Sequence, residues 1–128
     1  MPRPTKDRRP PVAIGHVWFK ARDVPAAAEW FETVGLRPIA DGEDFAVLEL
    51  RGGTHLVVTQ GAQRAKRKAE APFDLMVDDV DAARRAFAAQ GLKPSRIHRG
   101  SIHDSFALPG PEGARFTVLS SHAGRRSV

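Results

Sequence analysis

DVPAAAEWFETVGLRP at 23–38 and DVDAARRAFAAQGLKP at 79–94 are one segment written twice, at a constant offset of 56 residues. Eight of sixteen positions are identical: Asp23/Asp79, Val24/Val80, Ala26/Ala82, Ala27/Ala83, Phe31/Phe87, Gly35/Gly91, Leu36/Leu92 and Pro38/Pro94. Self-similarity at a fixed period marks a repeated structural unit. Each copy reads as a helix that opens on Asp. Ala27, Trp30, Phe31 and Val34 in one copy, and Val80, Ala83 and Phe87 in the other, recur at the spacing of one helical face. Gly35 and Gly91 end the helices, because glycine enters the left-handed conformation freely, and Pro38 or Pro94 then prevents the helix from resuming.

Extended segments flank both helices. VAIGHVWFKA (12–21) and PFDLMV (72–77) precede them with strand-type composition. Residues 37–41, FAVLEL (45–50) and THLVVTQ (54–60) follow the first helix; 94–98, 101–108 and 115–121 follow the second. RGG (51–53) and PGPEG (109–113) are the hairpin turns. The expected organisation is a basic tail at 1–11, one domain at 12–122 and a short tail at 123–128. Within the domain, two βαβββ modules (12–60 and 71–122) are joined by a linker at 61–70. The fold class is α+β: one helix covers only one face of each sheet, so the uncovered faces should form a cup, an incompletely closed mixed β-barrel with the helices outside.

Composition removes several classes of function. The chain has 128 residues, 41% of them hydrophobic and 27% charged, which suits a packed single domain. Cysteine is absent, so disulfides, thiolate nucleophiles and cysteine-ligated metal sites are excluded. No apolar run approaches the roughly 18 residues of a membrane span, and MPRPTKDRRPP lacks the apolar stretch of a secretory signal. The expected location is cytoplasmic, with no membrane partner. The net charge of +5 sits in residues 1–11, in 61–70 and at Arg125 and Arg126, leaving the body acidic overall. That distribution offers no basic stripe to nucleic acid.

Strand parity sorts the side chains by face. Val17 and Phe19 suit the helix side, leaving Ile14, His16, Trp18 and Lys20 for the cup. Phe73, Leu75 and Val77 pack inward, leaving Pro72, Asp74 and Met76. Leu56 and Val58 oppose His55, Val57 and Thr59; Phe116 and Val118 oppose Thr117, Leu119 and Ser121. In 101–108, Ile102, Phe106 and Leu108 favour the core, leaving His103 and Ser105 for the cup. The ligand-lining set is therefore His16, Trp18, His55, Val57, Asp74, Met76, His103, Thr117 and Leu119.

GHVWFKARDVPAAAEWFETVGL, FDLMVDDVDAARRAFAAQGL and the closing HDSFALPGPEGARFTVLSS together resemble the vicinal oxygen chelate superfamily, which includes glyoxalase I, bleomycin-resistance proteins, fosfomycin-modifying thiol transferases and extradiol dioxygenases. The resemblance spans about residues 12–122 and implies the cupped two-module fold. It also implies metal positions on the first and last strands of each module, occupied here by His16 and His55 in the first. The corresponding positions of the second module hold Pro72 and Thr117. Asp74, one step along the row from Pro72, completes a two-His, one-carboxylate set with His16 and His55, of a kind that suits iron, manganese, zinc or nickel.

Two other clusters read as structure. Neighbouring residues on a strand point to opposite faces, so His103, Asp104 and Ser105 do not form a nucleophilic relay. Asp78, Asp79 and Asp81 stand where the second helix starts, where acidic side chains cap free amides and complement the helix dipole. The resulting expectation is a small-molecule-binding protein of the bleomycin-resistance kind, without an intact four-ligand metal site. The alternatives are a metal-dependent lyase or dioxygenase using His16, His55 and Asp74, and a dimeric regulatory module with a vestigial cup. A homodimer is what the resemblance implies, and exposed strand edges favour it.

Overall fold

The computed structural model describes residues 8–61 and 70–121; most of the expected N-terminal tail and linker, and all of the C-terminal tail, lie outside them. In chain order the elements are β1 (His16–Ala21), α1 (Val24–Thr33), β2 (Arg37–Ala40), β3 (Phe45–Glu49), β4 (His55–Gln60), β5 (Leu75–Val77), α2 (Val80–Ala89), β6 (His98–Arg99), β7 (Asp104–Pro109) and β8 (Arg115–Ser120). They build two four-stranded sheets, β1-β4-β3-β2 and β5-β8-β7-β6. The α+β fold with two βαβββ modules is thus present, and the sheets are not closed into a barrel. In each sheet the first strand pairs in parallel with the last, and the remaining pairs are antiparallel.

The repeated segment folds the same way twice. The Asp23 carboxylate accepts from the Ala26 N–H and the Asp79 carboxylate from the Ala82 N–H, each at 3.0 Å, capping α1 and α2. At the other ends Leu36 N–H donates to the Phe31 carbonyl (3.0 Å) and Leu92 N–H to the Phe87 carbonyl (3.1 Å). Those closing bonds require a left-handed residue between, and Gly35 (φ +120°) and Gly91 (φ +89°) provide it. The three aspartates read as a capping cluster divide their work: Asp79 caps, Asp78 pairs with Arg51, and Asp81 pairs with Arg99. The hydrogen bond from Arg99 holds the Asp81 carboxyl below the usual range.

Three expectations are corrected. Ile102 is 67% exposed, not in the core, because the chain turns at Gly100–His103 and β7 begins only at Asp104. The strand expected at 94–98 is reduced to His98–Arg99. Ser95 still reaches the neighbouring strand, donating its N–H to the Ala107 carbonyl and accepting the Ala107 N–H on its hydroxyl. The first strands are shorter than expected, starting at His16 and Leu75 instead of residues 12 and 72.

The helix-side rows of both sheets merge into one core. At its centre Phe116 of β8 packs against Phe19 of β1, Trp30 and Phe31 of α1, and Phe73, with ring centroids 4.9–5.9 Å apart. Polar contacts between modules are reciprocal. The turn at 51–53 reaches the start of α2 through a two-point Arg51–Asp78 pair at 3.1 and 3.2 Å. The turn at 111–113 reaches the start of α1, where Asp23 N–H donates to Glu112 Oε2 at 3.4 Å. An exposed pair of this kind is worth about 0–1 kcal/mol, so the rings carry the joint. Phe116→Ala is expected to lower stability by about 3–5 kcal/mol in urea titrations, whereas Arg51→Ala should cost under about 1 kcal/mol.

Candidate functional site

Register places four polar side chains on one rung of the first sheet. His16 of β1 is opposite His55 of β4, His55 is opposite Glu49 of β3, and Glu49 is opposite Arg37 of β2. All four lie on the face away from α1, because Phe19, Ala46, Leu48, Leu56 and Val58, of the other parity, are buried in the core. Neighbouring strands are about 4.8 Å apart, which brings the side chains of a rung into contact. The imidazoles of His16 and His55 meet edge to face with centroids 5.7 Å apart. His55 Nε2 lies 3.5 Å from Glu49 Oε2, and the guanidinium of Arg37 donates to Glu49 Oε1.

Glu49 is the electrostatic centre of this rung. The hydrogen bond from Arg37, with a smaller contribution from His55, holds its carboxyl below the usual carboxylate range. It therefore stays ionised at neutral pH and presents an acceptor to His55. Beside the rung, Trp18 is 57% exposed and its indole lies 5.7 Å from the His16 ring. Val57 is opposite both Trp18 and Val47, and Phe45, at the end of β3, is 52% exposed. The face thus combines a polar rung with an apolar shelf.

The other expected site residues are distributed more widely. Thr117 and Leu119 are on β8, half-buried on the face away from α2, with Met76 of β5 opposite Leu119. Asp74 and Met76 line a cavity at the seam between the modules. The His103 ring contacts the Ser120 carbonyl, Asp104 pairs with Arg99, and Ser105 is opposite Leu119, so these three have separate partners and form no relay.

The strand registers also correct the alignment of the metal positions. β1 and β5 correspond at an offset of 56, and β4 and β8 at 60, since Phe19 pairs with Val58 and Leu75 with Val118. His55 therefore answers to Arg115, not Thr117. Arg115 is a guanidinium paired with Glu70, and Pro72 has no side-chain donor. Among the described residues no three His, Asp or Glu side chains converge closely enough to hold one metal ion, so Asp74 does not join His16 and His55 within one chain. The donor set of a single chain does not fit the metal that the resemblance implies.

Glu49 and Arg37 lie outside the set expected from the sequence. A signal for Glu49 exists: alternation in FAVLEL places it in the row of Phe45 and Val47, and a hairpin centred on the turn at 51–53 sets residue 49 opposite residue 55. Arg37 has no comparable signal, because the β2–β3 register shifts between Pro38 and Ala40.

No protein-family model and no curated protein sequence matches the chain. Solved structures do. A lactoylglutathione lyase from Agrobacterium tumefaciens superposes with a TM-score of 0.71 at 21% identity, covering 89% of this chain and 97% of that one. A glyoxalase/bleomycin resistance protein/dioxygenase from Alicyclobacillus acidocaldarius gives 0.67 at 20% identity, covering 94% and 99%. An oxidase, ChaP-H2, gives 0.66 at 18% identity, covering 86% and 94%. The chain has the fold of the glyoxalase, bleomycin-resistance and dioxygenase proteins, the vicinal oxygen chelate fold that its sequence resembles.

Removing the guanidinium tests the electrostatics of the rung. In Arg37→Gln the Glu49 carboxyl should titrate at higher pH than in the parent, followed by carboxyl carbon chemical shifts. The sign follows from a lowered folded-state pKa: the contribution of the pair is complete above the ordinary carboxylate pKa and disappears as pH falls through the lowered value. A Glu49 titration unchanged by the substitution contradicts this assignment.

Proposed function

We propose that this chain is a small-molecule-binding protein that holds its ligand against the bare face of the first sheet, with the cup completed by a second copy. The observation that carries the reading is the rung of His16, His55, Glu49 and Arg37 set beside exposed Trp18 and Phe45. Small-molecule sites are mostly apolar surfaces with a few converging polar groups, and this face has both. Trp18, Val57 and Phe45 supply apolar contact. His16 and His55 offer ring nitrogens to a ligand's hydroxyl, carbonyl or amine groups, and Glu49, fixed by Arg37, orients His55 from behind.

Binding of this kind needs burial and matched hydrogen bonds, not bond making. The face is open within one chain, so a second wall is required to exclude water. Thr117 and Leu119 of a second copy are suited to that role, and large exposed apolar side chains on a sheet face are the usual mark of a covered surface. A metal-dependent lyase or dioxygenase needs a third protein ligand, which must then come from the second copy. The fold does not choose between these activities, since the structures it resembles are named for a lyase and an oxidase.

Four measurements test the proposal. Light scattering should report a dimer at micromolar concentration. A thermal-shift screen of small aromatic and polycyclic compounds should find a ligand that, at 100 times its Kd, adds roughly 2.7 kcal/mol of stability. His16→Ala and His55→Ala should each weaken that ligand about tenfold, consistent with loss of one buried hydrogen bond. Stoichiometric binding of ferrous iron, manganese, zinc or nickel that disappears in the same two variants overturns the metal-free reading in favour of the enzyme. An empty screen favours a regulatory module.

A further inference from the structure

The repeat makes the seam between modules nearly twofold, but its two ends are filled differently. At one end five rings interlock, Phe19, Trp30, Phe31, Phe73 and Phe116, with centroids 4.9–6.3 Å apart. The offsets of 56 and 60 carry those positions to Leu75, Ala86, Phe87, Val17 and Leu56 at the other end. One ring remains where there were five. A groove of about 710 Å³ opens there, lined by Val17, Val34, Leu75, Phe87 and Val118, with Phe73 of the ring cluster at its inner limit. That volume lies within the roughly 300–1,000 Å³ of small-molecule sites.

The polar groups of the cavity indicate the charge of its occupant. Thr54 donates its hydroxyl to the Ile14 carbonyl, Arg51 is committed to Asp78, and Glu49 receives Arg37. Asp74 also lines the cavity, and among the described residues it has no ion-pair or hydrogen-bond partner. An apolar groove, open on one side and with the exposed carboxylate of Asp74 at its rim, complements an apolar body bearing one positive charge, since a charge-assisted hydrogen bond is about twice as strong as a neutral one. We propose that the seam cavity binds a small organic cation, a ring-bearing amine whose apolar part takes the place of the missing rings while its ammonium meets Asp74. This site is separate from the rung on the sheet face, touching it only through Glu49, and does not rest on the reading proposed above.

Calorimetry with 2-(naphthalen-2-yl)ethylamine on the full chain, with naphthalene-2-acetic acid as the anionic control, tests the assignment. The amine should bind and the acid should bind at least about tenfold more weakly. Asp74→Asn should weaken the amine about tenfold. Val17→Phe combined with Leu75→Phe, which copies the filled end of the seam, should abolish binding while the circular dichroism spectrum is retained; Leu75→Phe alone serves if the pair fails to fold. His16→Ala should leave the amine unaffected, which separates this cavity from the sheet-face site. Failure of the amine to bind, equal binding of the acid, indifference to Asp74→Asn, or full binding by a filled variant each overturns the proposal.

Discussion

Phe116 is the contact on which the architecture depends. It arises on the last strand of the second module and is buried against rings from β1, α1 and the approach to β5, so the helix sides of both sheets share one interior. Among the described residues the polar links between modules, Arg51–Asp78, Asp23–Glu112 and Gln90–Thr33, are exposed. Links of that kind select an orientation without contributing much energy. Joining the helix sides leaves the opposite, mixed-polarity row of the first sheet as a surface, and the candidate site occupies that surface.

Sheet geometry positions the site without any dedicated loop. A rung takes one side chain from each of four strands, and the strand spacing fixes their separation. Two imidazoles, a carboxylate and a guanidinium are thereby set in a row, with the carboxylate held ionised by the guanidinium and aimed at the inner imidazole. The arrangement is one-sided. The second module offers Pro72 and Arg115 where the first has His16 and His55, so duplication of the fold is not duplication of the chemistry.

The same divergence shapes the interior. Two modules of the same topology enclose unequal ends of a seam because aromatic residues at one end answer to aliphatic ones at the other. Packing at native density leaves few voids larger than a water molecule. The groove of about 710 Å³ at the seam, open to solvent along one side, lies where Val17 and Leu75 stand in place of Phe73 and Phe19.

How much was legible in advance follows from the range of the forces involved. The two modules, the helix limits, the Asp caps and glycine stops, and the inward parity of Phe19, Leu56, Val58, Phe116 and Val118 are readable from local residues, because capping, turn closure and side-chain alternation act within a few residues. Alternation also set His16 and His55 on the face away from the helix. Folding added that Glu49 and Arg37 complete the rung, that His55 answers to Arg115, that Asp74 lines the seam apart from the two histidines, and that a groove opens at one end of the seam. Those outcomes depend on strand register across a bulge and on how two modules meet, and both are set by packing between residues far apart in the chain.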